Sequence, residues 1–243
     1  MARPIPAAHI RRIHYGYIVS PEGYPDAGLP LPVSGFLVPY PGGTLLFDTG
    51  LSPVDEETRA RYHPRMQTME AALASAGASL TDIDVIANCH FHADHAGGNH
   101  HFPNVRVVVQ QAELEAARQP DYTFPQYAFD YPGAQLDVVD GETDLAPGLR
   151  LLPTPGHTPG HQSLLVDTDA GRWLLAGQAS NTTWEFSAQA FSARIAAEGL
   201  DPVGTYPDWM AHLRAWGVKR AFFAHDLVVW ERDESDLGHP ERI

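Results

Sequence analysis

A single cysteine, Cys89, among 243 residues excludes an intramolecular disulfide and fits a reducing cytoplasm, so the fold must rest on its core. No run of about 18 apolar residues occurs, and the amino terminus, Met1-Ala2-Arg3-Pro4-Ile5-Pro6, carries no apolar stretch of signal-peptide length. A cytosolic, soluble chain without a membrane partner is expected, which argues against a secreted enzyme. Basic residues are scarce as well. Lys and Arg number 16 against 30 Asp and Glu, the formal charge is −14 and no basic cluster stands out, so a phosphate backbone would be repelled and no nucleic-acid partner is expected. Repeats, linkers and low-complexity tracts are missing. A chain of this length buries about three quarters of its unfolded surface, and one domain over residues 1–243 is expected. Only the charged tail, 231–243, is expected to fray.

What the chain has is concentrated. Residues 89–98 read Cys-His-Phe-His-Ala-Asp-His-Ala-Gly-Gly, and His90, His92, Asp94 and His95 put three imidazoles and a carboxylate into six positions. No globular core needs that density of such groups. Imidazole nitrogen and carboxylate oxygen suit Zn²⁺ and related divalent ions, and a site needs about three or four of them converging. The others stand where apolar runs stop abruptly. Thr44-Leu45-Leu46-Phe47 ends at Asp48, and the Ile/Val-rich stretch 83–87 runs into His90. Leu149-Arg150-Leu151-Leu152 leads through Pro153-Thr154-Pro155-Gly156 to His157. Trp173-Leu174-Leu175-Ala176-Gly177 ends at Gln178, and Ala221-Phe222-Phe223-Ala224 ends at His225. Short apolar runs bounded by Gly or Pro read as buried strands, so five strands each deliver one polar group at the carboxyl end, as in a site built on one rim of a sheet.

The pattern predicts strands near 11–19, 33–40, 44–48, 83–88, 105–109, 135–139, 149–153, 161–167, 172–176 and 220–225. Helices are predicted near 65–77, 110–118, 188–198 and 206–216. Two successive series of mixed elements fit two sheets packed face to face with helices outside, an α/β (α+β) class. Residues 21–32 and 119–132 read as loops that shape a pocket. The second holds Tyr122, Phe124, Tyr127, Phe129 and Tyr131, which pack the loop onto the body or form an apolar wall for a substrate. Tyr127 and Phe129 are taken as candidate wall residues, with Trp184 and Asn181 beyond Gln178.

The His90-Phe91-His92-Ala93-Asp94-His95 run, His157 in a Thr-Pro-Gly-His turn and His225 in Ala-His-Asp resemble the metallo-β-lactamase superfamily of metal-dependent hydrolases. The match spans roughly residues 10 to 230, with four separated pieces in the right order. Phe47-Asp48-Thr49-Gly50, the helix-plus-strand stretch 66–89 and Asp94-His95-Ala96-Gly97-Gly98-Asn99 are similar to the N-acyl homoserine lactonase-like branch. The resemblance implies a four-layer αββα sandwich, one metal held by His90, His92 and His157, and a second held by Asp94, His95 and His225. It implies that Asp48, and in the same way Asp226, orients a ligand imidazole. The chain departs from the pattern twice. Gln178 stands where the superfamily usually places an aspartate bridging two metals, and Asn181 where the lactonase branch often has a tyrosine.

Such a metal lowers the pKa of bound water towards about 7 and polarises a carbonyl, so hydroxide can attack without a protein nucleophile. Asp94 and His225 are the expected catalytic groups. Asp94 serves as ligand or as base towards the water, and the metal is expected to be zinc, with iron or manganese as alternatives. With Gln178 as a ligand the charge of a two-ion site stays near about +2, where a bridging aspartate would bring it to about +1, so one ion or two remain open. Cys89 is expected to be a small buried thiol, and His161 either a support for a metal-bound imidazole or a structural residue. The expected function is opening of a lactone or related cyclic ester, such as an N-acyl homoserine lactone, with a small molecule as the partner. The rivals are hydrolysis of an amide, β-lactam or thioester, a mononuclear iron oxygenase of the persulfide type, and a non-catalytic metal-binding protein. The oligomeric state is left open.

Overall fold

The computed structural model describes residues 3–24, 26–52, 55–120, 122 and 128–232. Strands β1 (Arg11–Val19), β2 (Pro30–Tyr40) and β3 (Gly43–Phe47) form an antiparallel meander. After helix α1 (Glu56–Tyr62), the short β4 (Arg65–Met66) pairs with β1, and α2 (Met69–Ser75) follows. The chain then alternates through β5 (Val85–Ala87), α3 (Ala93–Ala96), β6 (Arg106–Gln110), α4 (Gln111–Ala117) and β7 (Gln135–Val139). β3, β5, β6 and β7 pair in parallel, which gives the first sheet the order β4-β1-β2-β3-β5-β6-β7. In the second sheet β8 (Thr143–Ala146), β9 (Leu149–Pro153), β10 (Gln162–Thr168) and β11 (Gly171–Gly177) are antiparallel. Helix α5 (Thr183–Ala197) precedes β12 (Val218–Phe223), which lies parallel to β11, and β13 (Trp230–Glu231) closes that edge.

Period-two alternation assigns each strand to two cores at once. In β3, Leu45 and Phe47 face β9 to β11 in a core between the sheets, with Val85, Val108, Leu151, Leu164 and Leu175. Leu46 faces the other way, into a core shared with Ile86, Val107, Leu73 of α2 and Leu114 of α4. On the far side Leu165, Leu174 and Ala221 pack under Phe186 and Ala193 of α5 and under Trp209 and Met210. The layers therefore run helix, sheet, sheet, helix, the four-layer αββα sandwich of the expected class.

Several elements differ from the sequence pattern for local reasons. The helix expected from residue 65 starts only at Met69, because Thr68 caps it, its side chain accepting from the Ala71 N–H, and because Arg65 and Met66 pair with β1. Helix α1 has too few apolar residues to be read by periodicity and is started by Asp55, which accepts from the Thr58 N–H. The helix expected over 206–216 is a short 3-10 segment, Asp208–His212, following Pro207, although Trp209, Met210 and Leu213 are buried as an amphipathic helix would bury them. The tail 233–243 lies outside the described residues. No helix among the described residues is long and apolar enough to cross a membrane.

Leu164 is fully buried between the sheets. Truncation there removes contacts to both, so Leu164→Ala is expected to cost about 2–5 kcal/mol in denaturant unfolding. A loss below about 1 kcal/mol would mean that the inter-sheet layer closes over the cavity and is not tightly packed.

Candidate metal centre

Strand direction gathers the polar groups. β3 and β5 are parallel, β9 and β11 are both antiparallel to β10, and β12 is parallel to β11, so these five strands end on one rim. The Gln162 N–H donating to the Cys89 carbonyl (2.8 Å) ties the rims of the two sheets together. Just beyond the strand ends lie Asp48, the 89–95 loop, the 154–161 turn, Gln178 and His225.

Three groupings result among the described residues, one of them the fully buried Cys89, His90 and His95 and the other two made of the expected ligands. His90, His92 and His157 bring ligand-type nitrogens within 4.8 Å of one another, and Asp94, His95 and His225 do the same with two nitrogens and an oxygen. His92 Nδ1 is 3.1 Å from His157 Nε2. His225 Nε2 is 3.1 Å from His95 Nε2 and 3.2 Å from Asp94 Oδ2. Gln178 joins the second cluster through Oε1, 3.0 Å from His95 Nε2, while its Nε2 donates to Asn181 Oδ1 at 3.0 Å. His90 Nε2 is fully buried without a hydrogen-bond partner. An orphaned nitrogen beside two further imidazoles fits a divalent ion and fits little else.

The charge states agree with such a role. Burial, reinforced by the neighbouring histidines, pushes His90 well below the usual imidazole range. Burial lowers His92 to about 4 against the pull of Asp94, and burial with His92 beside it lowers His157 to about 3. All three are neutral at pH 7, the form that ligates. His95 is the exception: burial opposes its charge, but Asp94 and Asp48 raise it to about 9. Burial also works against the Asp94 carboxylate, yet His95 and His225 hold it well below its ordinary range. A proton on His95 thus fills the electrostatic role that a cation between these groups would take over.

Ring orientation comes from behind. Asp48 Oδ2 accepts from His95 Nδ1 at 3.0 Å while Oδ1 accepts from the Cys89 N–H at 2.7 Å, which places Asp48 behind a candidate ligand as expected. Asp48 has φ 62°, a left-handed conformation that Asp tolerates better than most residues. Asp226 is different. Its carboxylate accepts from the N–H groups of Thr183 (2.7 Å) and Val228 (2.9 Å), so it shapes the turn beside α5 and not an imidazole. The acceptor behind His225 is the Pro32 carbonyl, at 2.8 Å from Nδ1, and a backbone oxygen leaves no side-chain signature in a sequence. His161 is buried with Nδ1 against Thr154 and Nε2 accepting from the Gln178 N–H at 3.2 Å, so it supports the Gln178 backbone. Cys89 is buried between His90 Nδ1 and His95 Nδ1, and desolvation with Asp48 nearby raises its pKa well above the usual value, which leaves an unreactive thiol.

A cavity of about 160 Å³ opens above the clusters. His92, Asp94, His157, Gln178, Asn181 and His225 line its floor and side. Its walls are Ile18, Tyr24 and Leu31 from the β1–β2 hairpin, with Leu51 and Tyr62, and Ser20 and Asp26 add a polar spot. The 21–32 loop and Asn181 therefore sit where a pocket was expected. Two other wall candidates do not. Phe129 stacks on Phe91 at 5.5 Å as part of the core under the first sheet, because an aromatic ring gains more from that buried face than from an open rim. Trp184, at the start of α5, is 80% exposed and lines no part of this cavity. Tyr127 lies outside the described residues.

Residues 28–183 match the family model described as the Metallo-beta-lactamase superfamily. The chain belongs to that superfamily. Among curated relatives of this superfamily member, an N-acyl homoserine lactonase from a Bacillus species is 36% identical over 239 residues, with 90% of each chain covered. The N-acyl homoserine lactonase AiiA of Bacillus thuringiensis subsp. kurstaki is 30% identical over 243 residues, again with 90% coverage of both. A solved structure of an N-acyl homoserine lactone hydrolase, with the product N-hexanoyl-L-homoserine bound at the catalytic metal centre, superposes with a TM-score of 0.70 at 25% identity. It covers 93% of this chain and 95% of that one.

Two expectations follow for metal content. His92→Ala or His157→Ala should each abolish tight binding at the first cluster, since each removes one of three imidazoles, and elemental analysis after dialysis decides it. Unchanged content in both variants would refute the assignment. Gln178→Asp adds a negative charge beside His95 and a second ligand-competent oxygen, so occupancy should rise from about one ion per chain towards two in a zinc titration. A natural protein that already holds two ions tightly would defeat this charge argument.

Proposed function

We propose that the protein is a metal-dependent hydrolase that opens the ring of N-acyl homoserine lactones or closely related lactones. The observation that carries this reading is the pair of ligand clusters, anchored on buried His90, His95 and His225, at the floor of an apolar-walled cavity. The identity to the Bacillus lactonases over nine tenths of the chain supports it. His90, His92 and His157 are assigned to one ion, and Asp94, His95, His225 and the Gln178 amide oxygen to a second, more weakly held one. Zinc is the proposed metal, because nitrogen and oxygen donors of this kind suit it. When bound, such an ion supplies a Lewis acid for the lactone carbonyl and acidifies water.

The chain's own residues supply the rest. Net chemistry adds water across the ring C–O bond: the carbonyl carbon gains a hydroxyl oxygen, the ring oxygen leaves, and that oxygen needs a proton. Asp94 lines the cavity with Oδ2 against His225, so it can take the proton from water and return it to the leaving oxygen. Asn181 accepts the Gln178 amide proton through Oδ1, which leaves its own NH₂ to donate to a substrate carbonyl. Ile18, Tyr24, Leu31 and Tyr62 receive an apolar acyl chain and exclude water around it.

The test is turnover by purified, metal-assayed protein against N-acyl homoserine lactones, simple esters, β-lactams and thioesters, followed by proton release. Ring opening should dominate, disappear with a chelator and return with zinc. Asp94→Asn should lower kcat by about 100-fold or more. Faster turnover of a thioester or β-lactam would move the substrate class, and stoichiometric iron with oxygen consumption would overturn hydrolysis altogether.

A further inference from the structure

Besides Asp48, which backs His95, one more buried carboxylate lies outside both clusters. Glu113, in the first turn of α4, has no exposed surface, and the partners the described residues give it are neutral donors. Its Oε1 accepts from the Phe91 N–H at 2.8 Å and from the Tyr122 hydroxyl, and its Oε2 accepts from the Thr158 hydroxyl at 2.6 Å. Phe91 stands between His90 and His92, and Thr158 directly follows His157. Thus one carboxylate grips both loops that carry the three-imidazole cluster. The contact is close along its length: a Cβ at Gly160 would overlap the Glu113 backbone, so the 154–161 turn rests directly on α4. Tyr122 binds from a third side, its ring 5.0 Å from that of His92 and its hydroxyl 3.1 Å from the Phe91 nitrogen.

Packing alone does not call for a carboxylate here. Burying one costs several kcal/mol in order of magnitude unless donors converge on it, and a methionine would fill similar space without that cost. Charge-assisted hydrogen bonds are about twice as strong as neutral ones, and they fix the positions of the donors. The donors fixed here are a backbone N–H and a hydroxyl, each adjacent in sequence to an imidazole of the cluster.

We propose that Glu113 is a positioning residue for the metal centre, clamping the 90–92 loop to the 157–158 turn so that His90, His92 and His157 meet at ligand distance. This rests on the reading of those three imidazoles as a metal subsite. Glu113 does not touch substrate. It sets the spacing of two loops that arise about 65 residues apart in the chain.

Three variants test the clamp in the full chain: Glu113→Met removes the acceptor at similar volume, Thr158→Val cuts only the arm to His157, and Glu113→Gln keeps one acceptor oxygen and offers an NH₂ to the Thr158 oxygen. Zinc affinity is measured by competition with a chromophoric chelator, the two binding steps being assigned with His157→Ala and His225→Ala, and Co²⁺ absorption reports ligand geometry. Glu113→Met and Thr158→Val should each weaken the three-imidazole step about 10- to 100-fold and shift its Co²⁺ bands, with the other step within about threefold. Glu113→Gln should restore most of the affinity. Melting temperature is read in parallel, because a purely structural residue would lower it without moving one subsite selectively. Wild-type affinity and spectra in folded Glu113→Met and Thr158→Val overturn the clamp while leaving the metal reading intact, as does equal weakening of both steps. A wild-type chain that takes up no metal removes the reading beneath it and the clamp with it.

Discussion

Desolvation governs this rim. His90, His95, His161 and His225 are crowded out of water, with half-buried His92 and the more open His157 against them, and such groups stay together only if neutral or matched to a carboxylate. The fold meets that condition from behind His95, His225 and His161. Asp48 accepts from His95, the Pro32 carbonyl accepts from His225, and Thr154 holds His161. The first two contacts leave His95 and His225 nitrogens facing one another at 3.1 Å, and His92 and His157 meet at the same distance, which only a shared cation or a shared proton can reconcile. The two sheets are aligned so that these ends coincide, and the inter-sheet core of Phe47, Val108, Leu151 and Leu164 holds that alignment.

Floor and wall come from different parts of the chain. The floor is made of strand ends deep in both sheets, whereas the wall is the β1–β2 hairpin together with α1 and Leu51. The hairpin is anchored locally: the Ser20 hydroxyl donates to Asp26, and the Gly28 N–H donates to the Ser20 carbonyl. It also reaches the floor through Pro32, whose carbonyl orients His225. A change in the hairpin that moves Leu31 to fit another substrate therefore also pulls on a candidate ligand. Shape and chemistry are separable along the sequence but mechanically joined at one peptide bond.

His90, His157, Gln178 and His225 were legible because each follows an apolar run that must be a buried strand, and His92, Asp94 and His95 because ligand-type groups are crowded into six positions. The four layers were legible from the same runs. Glu113 was not. It sits in Gln-Ala-Glu-Leu-Glu-Ala-Ala, where Glu113 and Glu115 look equivalent, and only the close approach of the Gly160 turn buries the first while the second stays exposed. In the aromatic loop the packing reading holds for Phe129 and Tyr131, and the wall reading does not hold for Phe129. Aromatic density reports burial without saying against what, and Phe129 and Tyr131 are turned inward. Between residues 206 and 216 the sequence pattern predicted a helix, but a 3-10 segment buries Trp209, Met210 and Leu213 as a helix would.

Gln178 and Asn181 looked in the sequence like two unrelated departures from the superfamily pattern, yet they are bonded to each other. A carboxylate presents an oxygen whichever way it turns. An amide presents an oxygen in one orientation and an NH₂, which cannot ligate, in the other. Once a glutamine occupies this position beside His95, something must hold its oxygen inward. Asn181 does this by accepting the amide proton, which leaves Oε1 towards His95, and a tyrosine at that position would carry its acceptor at the end of a ring several ångströms further out. The pair therefore exchanges charge for orientation: the second cluster keeps an oxygen in place but loses a negative unit, and Asp94, with Asp48 behind His95, is left to balance whatever cation the cluster takes up.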